Sequence, residues 1–163
     1  HSNFFSFKIG TAISNIYLKN VTLITEYTRT NPIVYKHFIP TTTFETNGYN
    51  IGNYLRDNTD EWYFAIKYKP IRKLKIELSY LTARKGNDYK YSGGSAVLGL
   101  PFMNEVIWSK KNILCNINYE IFNDINLFAG FSNSLIKDNF KTYTPEFYLG
   151  NTNTLIFGMN WGF

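Results

Sequence analysis

Cysteine occurs once and histidine twice in this chain of 163 residues. A single thiol, Cys115, closes no internal disulfide, and its alternating surroundings make it a small apolar side chain. No His, Cys or carboxylate cluster has metal-ligand spacing, so the sequence offers no structural zinc site. Setting aside His1, His37 is the one imidazole available, and no serine has an obvious partner near it in sequence. The residues therefore supply no catalytic constellation, and the chain is read as a non-enzyme that carries no cofactor. The Ser-Gly-Gly-Ser run at Ser92–Ser95 reads as a flexible loop rather than an anion cradle.

Long apolar runs are also missing. No stretch approaches the roughly 18 uninterrupted apolar residues of a spanning helix, which excludes a helical membrane protein. No signal peptide is recognisable and the first residue is His1, so the chain is expected to be processed or to belong to something longer. The net charge is +5, yet the basic residues are scattered among acidic ones instead of forming a stripe. Nucleic acid is therefore not an expected partner.

Aromatic residues are what the chain has in excess: 18% of it, led by 14 Phe and 13 Tyr. They fall in runs of period two. Phe5, Phe7, Ile9, Thr11 and Ile13 alternate with Ser6, Lys8, Gly10, Ala12 and Ser14; Val21 to Tyr27, Trp62 to Tyr68, Leu74 to Tyr80, Ile113 to Ile121 and Ile125 to Phe131 repeat the pattern. The last run, Leu155, Phe157, Met159, Trp161 and Phe163, alternates with Ile156, Gly158, Asn160 and Gly162. The sequence thus predicts about seven strands, each apolar on one side, and no competing helix. An aromatic-ended terminal strand of this kind is what closes a transmembrane β-barrel, so the expected fold is all-β, an antiparallel transmembrane barrel.

The connections sort by length. Asn15 to Asn20, Pro70 to Lys73 and Asn123 to Asp124 are short, with turn-forming Pro, Asn and Asp. Asn31 to Asp60, Gly86 to Glu105 and Lys141 to Thr152 are long and polar. Short periplasmic turns and long external loops are the pattern of an outer-membrane barrel, whose surroundings would be membrane lipid and lipopolysaccharide. With the terminal strand ending in the periplasm, walking backward places the first strand's start outside. An odd count of about seven then predicts the C-terminal portion of a larger barrel, completed by strands of the same or another chain, unless an N-terminal hairpin is miscounted. Residue parity directs Glu26, Lys67, Lys75, Glu77, Asn116, Asn118 and Glu120 inward, where both charge signs favour a self-cross-linked interior over a selective conduit.

Glu26 to Arg29, Pro32, Tyr35, His37, Gly48 to Gly52, Asp57, Asp60 and Tyr68 to Pro70 form a further pattern: an acidic-aromatic-Thr-Arg strand end, Tyr-x-His, a Gly-x-x-Ile-Gly loop, then a Tyr-x-Pro hairpin. This resembles capsule-assembly outer-membrane proteins of the Wzi type over about a third of the chain. The resemblance implies a barrel larger than this chain that binds surface polysaccharide and helps attach capsule to the cell. The first long loop joins aromatic faces to planar polar groups, the two features that hold sugars. Its candidates are Tyr35, His37, Tyr49, Asn50, Asn53, Tyr54, Arg56 and Asp57, against the plainer expectation that the loop packs on itself. Two other functions stay open: a structural subunit of a secretion or barrel-assembly complex, and a diffusion porin.

Overall fold

A computed structural model describes residues 5–15, 17–37, 44–46, 49–90 and 99–162, with only the backbone at Tyr49 and Asn50. Ser92–Ser95 and Phe163 lie outside the described residues. The chain forms β1 (Ser6–Ser14), β2 (Val21–Thr30), a two-residue hairpin of β3 (Glu45–Thr46) and β4 (Tyr49–Asn50), β5 (Thr59–Ile71), β6 (Leu74–Gly86), β7 (Val106–Phe122), β8 (Ile125–Asp138) and β9 (Gly150–Trp161). Seven of these make one antiparallel sheet in the order β1-β2-β5-β6-β7-β8-β9, whose two edges are not joined to each other. No described helix is long and apolar enough to cross a membrane, which leaves crossing by strands untouched.

The turns follow from their residues. Asn15 and Asn20 both have positive φ, and the Asn15 side chain accepts the Asn20 amide at 2.6 Å, closing the β1–β2 connection. Asp124 takes the left-handed conformation in the two-residue β7–β8 turn, where short polar side chains are tolerated. The long connections are somewhat shorter than expected, because Thr59, Asp60, Gly86 and Gly150 to Thr152 are already paired in strands. β7 and β8 also run farther toward the loops than their apolar alternation indicated, since charged and polar pairs such as Ser109 with Lys137 continue the ladder.

Register aligns the two sets of side chains across the whole sheet. Ile9 pairs with Tyr27, Leu23 with Ile66, Phe64 with Tyr80, Leu78 with Cys115, Cys115 with Phe131, and Phe131 with Leu155. This face is apolar from edge to edge and open to its surroundings: Ile66 and Leu78 are each 47% exposed and Phe157 73%. Tyr27 packs on Trp62 at 4.4 Å between centroids, and Trp62 stacks on Phe64 at 5.8 Å. The opposite face carries all seven residues assigned inward: Lys67 pairs with Glu77, Glu77 with Asn116, Lys75 with Asn118, Glu120 with Asn126, and Glu26 with Tyr63. Ion pairs Lys8–Glu26 at 2.6 Å and Lys67–Glu77 at 3.7 Å cross-link that face, as its mixed charge suggested.

The apolar band runs obliquely to the register. Toward the loops it ends at Tyr27 and Trp62, which pair with each other; on β6 and β7 it ends one alternation lower, at Tyr80 and Ile113, and on β8 and β9 lower again, at Phe131 and Leu155. At the turn end it descends in parallel, from Tyr68 on β5 to Trp161 on β9, two alternations beyond the row that holds Tyr68.

Candidate functional site: the loop layer on the polar face

The sheet has no core of its own, and most residues that are buried lie at its long-loop end. Leu55, Ala83, Ile107 and Trp108 form the buried apolar cluster, with Leu81 and Ile136 packed against it. Leu81, Ala83 and Ile136 belong to the polar face, so near the loops that face turns apolar and receives the connections. The first long loop therefore folds over the polar face.

Asn58 ties the connections together. It is 1% exposed with positive φ; its side chain donates to the Asn87 carbonyl at 2.8 Å and accepts from the Met103 amide at 3.0 Å. Its backbone amide donates to Asn31 and its carbonyl accepts from Gly86, so one residue joins the first long loop to both ends of the second. Gly86 lies against the Asn58 carboxamide so closely that a Cβ would collide with it.

Lys85 makes a second knot. Its ammonium, on a side chain 4% exposed, donates to the Asp57 carbonyl at 3.1 Å and to Asp88 at 3.0 Å, and lies 5.3 Å from the Tyr143 ring centroid. Tyr143 in the third long loop donates its hydroxyl to Asp88. Burial pushes the Asp88 carboxyl up, but the Tyr143 hydroxyl and the Lys85 ammonium outweigh it and hold the group below its ordinary value. Asp138 shapes the third loop by accepting the amides of Phe140, Tyr143 and Thr144, and Trp108 donates to Thr144 at 2.7 Å. Lys85→Met keeps the length of the stem but leaves the Asp57 carbonyl without its donor and Asp88 with only the more distant Lys36 as its cation, at 3.9 Å. It is expected to cost the loop layer about 3 kcal/mol, read as faster proteolysis of the long loops with the sheet intact.

The sugar candidates divide between structure and surface. Asp57 is buried and accepts the Tyr35 amide at 2.9 Å; desolvation raises its carboxyl above the ordinary range. The Tyr35 ring covers Gly52, where a Cβ would strike it, and its hydroxyl accepts the Asn53 amide at 3.0 Å. Asn53 donates to the Thr30 hydroxyl at 3.1 Å and accepts the Leu55 amide at 2.9 Å. These three build the loop. His37, Tyr54 and Arg56 are exposed, Arg56 with positive φ. The side chains of Tyr49 and Asn50 lie outside the description.

Tyr35, Asn53 and Tyr54 meet Ser6, Lys8, Thr28 and Glu61 around a cleft of about 350 Å³ between the loop and the β1, β2 and β5 strands. That volume falls within the range of small-ligand sites. Tyr54 donates its hydroxyl to Glu61, and desolvation, then the Glu61 carboxylate, pushes its ionisation well above the ordinary tyrosine value. The cleft therefore offers two aromatic rings, an ammonium, a carboxylate and hydroxyls.

Sequence reasoning passed over Asn58, Lys85, Asp88 and Tyr143. Only the register shows that Lys85 stands on the polar face beneath the loops. No three His, Cys, Asp or Glu side chains are placed to hold a metal among the described residues. Comparison with protein-family models, with curated proteins and with solved structures gives no match.

Proposed function

We propose that this sheet is part of the wall of an outer-membrane β-barrel of the capsule-assembly type, which engages surface polysaccharide through its long loops and carries out no catalysis. The observation that carries the membrane reading is the exposed apolar face, unbroken across seven strands and backed by a charged face. Soluble monomers rarely expose a contiguous apolar area of this extent. The obliquity of the band supports the same reading. It descends by about one residue per strand; with about 3.4 Å per residue and about 4.8 Å between strands, a level band requires a strand tilt of about 35°, at the lower end of barrel values.

The glycan reading rests on the cleft under the first long loop, with Tyr35 and Tyr54 for stacking and Lys8, Thr28 and Glu61 for hydroxyl and charged groups. Its test is retention of purified capsular polysaccharide by the intact protein, compared with Tyr54→Ala and Tyr54→Phe. Loss of the ring is expected to weaken retention about fivefold, while Phe keeps most of it. Absence of retention by the intact protein, or equal retention by Tyr54→Ala, overturns the glycan reading.

The open edges favour a second reading beside this one, a wall segment within a larger assembly. β1 and β9 run in the same direction, being first and seventh in an antiparallel order. Antiparallel closure therefore needs an odd number of further strands between them, and unpaired edges in lipid are very costly. A stable second polypeptide that remains bound in detergent would favour the assembly reading. The inward-folded loop argues against a wide diffusion channel.

A further inference from the structure

The apolar face changes character abruptly at its long-loop border. Arg29 pairs with Asp60, Asp60 with Arg84, Arg84 with Ser109 and Ser109 with Lys137, so one register row crosses five strands on the same face as Tyr27 and Trp62. Lys111 stands two residues below Ser109, opposite Leu135, on that face. Arg29 is spoken for: its guanidinium lies 3.8 Å from the Phe102 ring centroid and donates to Asn31 at 3.0 Å. Arg84 is held by Asp60, whose side chain is 5% exposed while Arg84 remains 51% exposed. Lys111 and Lys137 are both exposed. The border thus carries two lysines and an oriented guanidinium against one buried carboxylate. Arg84 and Lys137 are two inter-strand spacings apart, roughly 10 Å.

We propose that Arg84, Lys111 and Lys137 form a docking row for the phosphate groups of lipid A in the outer leaflet. The inference rests on the outer-membrane reading above and adds the lipid that the border selects. A long cationic side chain can lie along the apolar wall and place its charge at headgroup level. Arg84, fixed by Asp60, presents its free N–H groups in a defined direction, and guanidinium is suited to phosphate oxygens. The separation lets one headgroup with more than one phosphate meet both ends of the row. Both borders of the apolar band carry the aromatic residues expected at a membrane interface, Tyr27, Trp62 and Tyr80 toward the loops and Tyr68, Tyr119 and Trp161 toward the turns. The cationic row stands beyond the loop-side aromatics on the same face, at the level where a phosphorylated glycolipid of an outer leaflet would present its headgroup.

The test uses the closed barrel, this chain together with the strands that complete it, reconstituted in phosphatidylcholine vesicles, with insertion read by protease protection of the strands. Retention is then measured for bis-phosphorylated lipid A, dephosphorylated lipid A and phosphatidylglycerol, for the wild type and for Lys111→Gln with Lys137→Gln. The expected result is preferential retention of bis-phosphorylated lipid A by the wild type and retention about thirtyfold weaker in the double variant, with insertion unchanged. Equal retention of the dephosphorylated lipid or of phosphatidylglycerol overturns the inference, as does a double variant that retains lipid A like the wild type. In those outcomes inserted protein leaves the membrane reading standing. Failure of both proteins to insert overturns the membrane reading and this inference with it.

Discussion

Leu78→Lys is expected to stop the protein from inserting into a bilayer. Leu78 lies in the middle of the apolar face, flanked in register by Ile66 and Cys115, and is 47% exposed. At the midplane of a lipid-facing wall a lysine costs roughly 2 to 4 kcal/mol, a large share of the stability of a folded domain. The control is the same side chain on the other face: Asn126→Lys stands opposite Glu120 and is expected to insert like the wild type. Protease protection in vesicles reads both. On the face of a water-soluble protein the two changes would be equally mild, because an exposed leucine has little to lose by becoming lysine. Insertion of Leu78→Lys at the wild-type level would therefore refute the assignment of this face to lipid.

The second large effect belongs to the loop layer. Asn58→Ala removes the donor to the Asn87 carbonyl and the acceptor for the Met103 amide, both in a closely packed site. It also puts alanine at a φ of +56°, where asparagine is better tolerated. Unmade buried hydrogen bonds cost about 1 to 3 kcal/mol each, so a loss of about 3 to 4 kcal/mol is expected, confined to the loops. Hydrogen exchange of the Met103 amide measures it directly. Gly86→Ala should give the same phenotype by a different route, since its methyl group would displace the Asn58 carboxamide. Unchanged protection of the Met103 amide in Asn58→Ala would remove Asn58 from the centre of the layer. The strands should stay paired in both variants, because their ladders continue from Thr59 to Tyr68 independently of the loops.

The two faces behave differently under substitution because they are made differently. On the apolar face each side chain meets neighbours of the same kind, so the effect of a change depends on which solvent lies outside. At the loop end Asn58, Lys85, Asp88 and Asp138 each hold specific partners, so the effect depends on local geometry. This also explains why the sugar candidates separate. The polar groups of Asp57, Asn53 and Tyr35 are engaged in the hydrogen bonds that hold the loop against the sheet, leaving Tyr35 only its ring to offer, whereas Tyr54 and Arg56 sit on exposed positions.

Period two is a local property, so the sequence alone determined the strands, the two faces, the order of short and long connections, and the polar-face set from Glu26 to Glu120. Each follows from the alternation of side chains along one extended segment and from turn residues that act within a few positions. The small β3–β4 hairpin escaped because two-residue strands carry no period, and the loop-ward extension of β7 and β8 because its pairs are polar. Three matters waited for tertiary structure. Register decided that Arg84 and Lys137 share a row with Arg29, because pairing joins residues far apart in the chain. The direction of the long loops depended on where Leu81, Ala83 and Ile136 offered an apolar landing site on an otherwise polar face. The roles of Asn58 and Lys85 came from contacts among three separate connections, which alternation along any one of them does not encode.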